Sequence, residues 1–350
     1  MRHFAKSTAI SAAIFFLALL ISNLAYSSDT SAVELLKKAY ENQHLVSHTG
    51  MLNTVVFLGD EATNEANMSI VEVRQKDGRM RMDYKSGIFA GLSIIDDGKK
   101  MMRVDSKNQS IVVSAIPFPQ DDISLLLSNY EVSLDGTEQV AGRSTQILQV
   151  KSRSVKNPSK KLWIDKETFM PLRSEHYNSD GVLTTLTFYT KINYDVEIKD
   201  SDFSFPKGWR IVEEPRNTEK LSEEQISEAV GFDIVTPEYL PSGYVLDGFY
   251  LFYPMPQRKG VHIRYVDGLN TISVFECIPS HLERGMGRMR RMQRGMGGVR
   301  GMQRGWQDKP KCEFLDNRQG RAIRMMKGDL NITLVADIAE AELQKISDNF

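Results

Sequence analysis

Cysteine is nearly absent from this chain: two occur in 350 residues, Cys277 and Cys312. A single pair separated by 35 positions lacks the clustered spacing of a zinc site. Histidine is also scarce, with six residues, and His44 and His48 stand four apart with no carboxylates grouped around them. No G-x-S-x-G, H-E-x-x-H or P-loop pattern is present. Asp96-Asp97 and Asp121-Asp122 read as turn and helix-start residues, not as an acid/base pair. These gaps leave no catalytic residue, metal site or cofactor to assign, and the chain reads as a binding protein rather than an enzyme. After residue 27 no apolar run is long enough to cross a bilayer.

The N-terminus carries a targeting pattern. Arg2, His3 and Lys6 precede an apolar run from Ala9 to Ile21, and Ala25-Tyr26-Ser27 supplies small residues for cleavage. Residues 1–27 are therefore expected to be a cleaved secretory signal peptide, and the periplasm is the expected compartment. That compartment permits disulfides, so a Cys277–Cys312 bridge is expected over two thiols. Export also argues against a nucleic-acid partner.

Turn residues and alternating apolar positions divide the rest. Ser31-Ala32-Val33-Glu34 is a capping box, with Val33, Leu36 and Tyr40 at helical spacing behind it. Strand-like runs follow from Val46 to Ala115, broken by Asp77-Gly78, Asp96-Asp97-Gly98 and Ser106-Lys107-Asn108. A helix opens at Asp121-Asp122, and strands resume from Glu138. Residues 28–208 are expected to form one curved antiparallel sheet with helices covering one face or plugging its mouth. Residues 209–230 read as a polar linker, in which Ser222-Glu223-Glu224-Gln225 caps a short helix stopping at Gly231. Residues 231–350 predict a smaller α+β domain. It has a hairpin signal at Asp267-Gly268 and a second capping box, Asp337-Ile338-Ala339-Glu340. The fold class is α+β.

The meander Lys161–Ile192, KLWIDKETFMPLRSEHYNSDGVLTTLTFYTKI, organises the first domain. Its alternation places Leu162 and Ile164 on one face and Trp163 on the other. This run, the later YVDGLNTISVFE at 265–276 and the closing region 328–346 resemble, in order and spacing, the MucB/RseB family of periplasmic regulators of envelope-stress sigma factors. The resemblance implies a large domain, residues 28–208, similar to the lipoprotein carriers of the LolA/LolB type: a half-open antiparallel β-barrel with covering helices and a hydrophobic cavity. It also implies a second domain that helps to hold the periplasmic part of a membrane-spanning anti-sigma factor. A lipid, lipoprotein or lipopolysaccharide ligand in the cavity would release that partner. The alternative is a lipoprotein or lipid carrier, although the small carriers end after the sheet domain. A structural envelope protein without a ligand is a third reading. Cavity candidates are Ile88, Phe89, Leu92, Phe118, Leu126 and Phe188, each also suited to ordinary core packing. Phe89 lies in a glycine-flanked stretch, Gly87 to Gly91, that suggests a flap.

Residues 284–304, RGMGRMRRMQRGMGGVRGMQR, depart from the family pattern. Arg284, Arg288, Arg290, Arg291, Arg294, Arg300 and Arg304 stand among six Gly and five Met with no acid. Without the leader the chain has 42 basic and 45 acidic residues; outside this segment the balance is 35 to 45. Three roles stay open for the segment. It suits an anionic membrane surface, because Arg forks onto phosphate and Met adds adaptable apolar area. It also reads as an inert solvated insertion. Methionine sulfur suits Cu(I), against the repulsion of seven positive charges.

Overall fold

The computed structural model describes residues 31–57, 66–115, 123–154, 157–214, 219–255, 258–279, 313–317 and 320–350. The leader, Phe118, the Arg/Gly/Met segment and Cys312 lie outside the described residues, and so does the expected Cys277–Cys312 pairing.

The chain opens with helix α1 (Ala32–Leu45), where the Ser31 hydroxyl accepts the Glu34 amide at 3.1 Å. Its buried stripe is Leu35, Leu36 and Ala39; Val33, expected on that stripe, is exposed. Six antiparallel strands follow: β1 (His48–Phe57), β2 (Ala66–Lys76), β3 (Arg79–Tyr84), β4 (Leu92–Asp96), β5 (Lys100–Asp105) and β6 (Ser110–Ala115). Helix α2 (Ile123–Asn129) carries the chain to β7 (Tyr130–Val140), β8 (Arg143–Ser152), β9 (Ser159–Asp165), β10 (Pro171–Tyr177) and β11 (Leu183–Asn193). β11 pairs antiparallel with β1, joining the two runs into one sheet.

The sheet is strongly curled. β7 and β11 are four places apart in the strand order, about 19 Å in a flat sheet. Their Cα atoms nevertheless approach within 8 Å. Helix α1 lies in the hollow, with Leu35 and Leu36 packed on Leu126, Tyr130, Leu148, Val150, Leu162 and Ile164. Trp163 points away from that cluster and donates Nε1–H to Glu138 at 2.6 Å, as the alternation requires. Beside the opposite end of the sheet, Ile198 and Phe203 pack on Ile95, Met102, Val104 and Ile111.

The run 209–230 differs from the linker expected. β12 (Arg210–Glu213) pairs parallel with β6 and extends the first sheet to twelve strands. All four of its side chains are exposed, so no apolar alternation marks it; the backbone ladder makes the strand. Helix α3 (Glu223–Val230) has the expected capping box at Ser222 and ends at Gly231 in the left-handed conformation, φ 77°. Its Ile226 is fully buried in the second domain.

The second sheet contains β13 (Val245–Met255), β14 (Arg258–Val266), β15 (Thr271–Cys277), β16 (Glu313–Asn317), β17 (Gly320–Lys327) and β18 (Leu330–Ala336). Its order is β13-β14-β15-β18-β17-β16, antiparallel throughout. Helices α3 and α4 (Glu340–Asp348) cover one face through Ile226, Leu343 and Ile346, joined by Ile338 just ahead of α4. The capping box expected at Asp337 does not form. The N-cap is Ala339, without a side-chain bond, and Asp337 instead accepts the Ser179 amide of the first domain at 3.2 Å.

Candidate functional site

Hydrogen bonds close the hollow of the first sheet at the C-terminal end of α1. At the closed end Gln75 donates Nε2–H to the carbonyls of Gln43 and Val46, at 2.8 and 3.1 Å, tying β2 to the end of α1. His48 is fully buried between the Val46 carbonyl and the Tyr189 hydroxyl, both at 2.9 Å. Burial lowers its imidazole pKa, and the Val46 carbonyl opposes the shift only in part. His48 is therefore a neutral hydrogen-bonded core residue.

Register fixes what lines the rest of the hollow. Val71 and Val73, on the helix side, oppose Tyr84 and Met82 of β3, and Met82 opposes Ile94 of β4. Leu92 shares the parity of Ile94 and stands on the same face. Residues 85–91 fold back on β2: the Lys85 amide donates to the Ile70 carbonyl at 2.8 Å, and the Ile70 amide donates to Ser86 Oγ at 3.0 Å. Phe89 contacts Tyr84 edge-on, with ring centroids 5.6 Å apart. Ile88 and Phe89 are 73% and 46% exposed, unusual for side chains of this type beside an apolar row.

The expected candidates thus divide. Phe89 and Leu92 gather at Tyr84, while Ile88 beside them is largely exposed. Leu126 is fully buried in the α1–α2 core. Phe188 pairs with Arg173 and Asn53, on the sheet face opposite Leu162 and α1. Met82, Tyr84 and Ile94 were missed, although Met80-Arg81-Met82-Asp83-Tyr84 alternates in a way that marks one apolar face. Alternation identifies a face without revealing which face the helices cover.

A second feature is the seam between the sheets. The Tyr130 hydroxyl donates to Asp267 Oδ2 at 2.6 Å, and Asn270 Nδ2 donates to that hydroxyl at 2.6 Å. Asn129 Nδ2 donates to the carbonyls of Gly243 and Asp267, each at 2.9 Å. Burial and the adjacent Asp267 carboxylate push the Tyr130 hydroxyl far above its ordinary pKa, so it remains a donor. At the other end of the seam Arg321 bridges Ser179 Oγ at 2.9 Å, the Ile338 carbonyl at 2.7 Å and Asp180. Burial raises the Asp337 carboxyl to about 6, despite the Ser179 amide and Arg321. Among the described residues no three His, Cys, Asp or Glu side chains gather as a metal site. No described helix is long and apolar enough to cross a membrane.

A curled, open, helix-lined sheet bonded to a smaller helix-backed sheet defines an α+β protein of open half-barrel type. Residues 66–206 match the family model of the MucB/RseB N-terminal domain. Pseudomonas aeruginosa MucB, solved as a MucA/MucB complex, superposes with a TM-score of 0.59 at 18% identity, over 90% of this chain and 96% of that one. A structure of MucB in complex with MucA(peri) gives 0.58 at 18% identity, over 90% and 97%. The uncharacterized protein MJ0687 of Methanocaldococcus jannaschii is 24% identical over 157 residues, 42% of this chain. That match spans only 45% of the relative's length.

Proposed function

We propose that this protein is a periplasmic regulator that binds the periplasmic part of a membrane-spanning anti-sigma factor and senses a lipid-like ligand in the hollow of its first domain. The observation that carries this reading is the likeness to MucB, which extends across both domains rather than the half-barrel alone. MucB is solved with MucA bound, and a partner of that kind is the one proposed here. The half-exposed apolar row at Tyr84, Phe89 and Leu92 supports an acyl ligand, since each buried methylene contributes about 0.8 kcal/mol. Such a ligand shifts partner binding only by its difference in affinity for the bound and free states.

Pull-down of the mature protein from membrane extracts, with mass spectrometry of proteins and lipids, tests the reading. A single-span protein with an anti-sigma domain is the expected main partner. Acylated lipoproteins recovered without it would establish the carrier alternative. Within the regulator reading, Phe89→Glu places a charge on the apolar row and should abolish co-purification of lipid. Lipid retention equal to wild type would remove Phe89 from the site.

A further inference from the structure

We propose that the turn Asp267–Asn270 is the mechanical coupling between the helix layer of the half-barrel and the second domain. It is the tight turn between β14 and β15, and its shape is set internally. Asp267 Oδ1 accepts the amides of Leu269 and Asn270 at 2.9 and 2.7 Å. The turn therefore moves as one body with the two strands that it joins.

On one side it is wedged against the first domain. Gly268 has φ +96°, and a Cβ there would lie 2.3 Å from the Leu126 amide nitrogen on α2. Only glycine permits that approach. Leu269 packs on the first domain's core cluster, which holds Leu35, Leu36 and Leu126. Asp267, 1% exposed, and Asn270 hold Tyr130 at the start of β7. Next to it is space: Leu269 and Asn270 also line a cavity of about 260 Å³ with His176 and Thr185 of the first domain and Asp337. Close packing against α2 and free volume beside it give the turn room in which to yield. A shift of α1 or α2 pushes Leu269 toward the cavity and carries β14 and β15 with it, because packed contacts transmit displacement with little compression. Arg321 and Asp337 stand at the Ser179–Asp180 end of the seam and would sense the same movement.

The inference deepens the ligand-sensing reading above, but its first test needs no ligand. Hydrogen exchange is followed in the mature full chain for the amides of Leu269 and Asn270. Leu36→Ala, or the milder Leu36→Val if the first fails to fold, loosens α1 within the cluster on which Leu269 packs. Either should speed exchange at both amides about tenfold, within the usual range of site-to-site coupling. In a Leu269→Ala background the added effect should vanish. Faster exchange in α1 with both turn amides unchanged would overturn the proposal. The second test adds a fluorescent palmitate analogue. Binding that shifts the turn amides in wild type but not in Leu269→Ala supports the relay, and binding without such a shift overturns it. No binding at all would remove the lipid reading, leaving the coupling to be decided by the Leu36 variants.

Discussion

Glu276 is fully buried on β15; its Oε2 accepts the Val235 amide at 3.3 Å, and Oε1 has no partner among the described residues. Burial raises its carboxyl from 4.5 to about 7, against the Val235 amide and Lys327. The folded state thus holds this proton more tightly than the unfolded chain does. Stability contributed by the protonated form is present below pH 4.5, falls as pH rises, and is lost once pH passes about 7. Glu276→Gln should flatten that slope and stabilise the domain at pH 8 by roughly 2–3 kcal/mol. Denaturant melts across pH check this; equal slopes in both proteins would exclude Glu276 as the source. Gly268→Ala meets both positive φ and the Leu126 backbone, so it should cost on the order of 2–4 kcal/mol. An unchanged melting temperature would show that the seam relaxes freely. The sequence marked Asp267-Gly268 as a hairpin turn, but not its contact with Leu126, which comes from a residue more than a hundred positions away.

Two capping boxes of equal quality in the sequence had opposite outcomes. Ser222 accepts the Gln225 amide at 3.2 Å, and the Gln225 side chain accepts the Ser222 amide at 2.9 Å. Ser222→Ala should destabilise the second domain by about 1 kcal/mol, read from its thermal transition, because α3 carries the buried Ile226. No shift would mean that packing alone holds the helix. Asp337 opens the other box, but α4 starts two residues later, with Ala339 as N-cap, and the Asp337 carboxyl is drawn to Ser179 across the seam. A local motif offers the carboxyl one partner, and tertiary structure offered it another. The meander behaved as its residues require. In the β9–β10 turn, burial of Asp165 would raise its carboxyl, but Arg143 and the Glu167 and Thr168 amides hold it below the ordinary range.

Over the whole molecule the charge is uneven. Without residues 1–27, ten excess acids outside residues 284–304 stand against seven arginines within them. We propose that this segment binds anionic surfaces. Replacing all seven arginines by Gln should abolish binding to phosphatidylglycerol vesicles at low salt, and wild-type binding should weaken steeply as salt rises. Equal binding by both proteins would leave the segment an inert insertion. Composition and period-two alternation were enough to determine a strand-rich chain in two parts, the faces of Leu162 and Trp163, and the start of α3, because each depends on neighbours a few residues away. Curvature, the choice of covered face, the pairing of β12 with β6 and the seam were decided only by the folded molecule. Each joins groups distant in sequence, and the deciding quantity is which buried polar groups and apolar faces meet, which a local pattern does not encode.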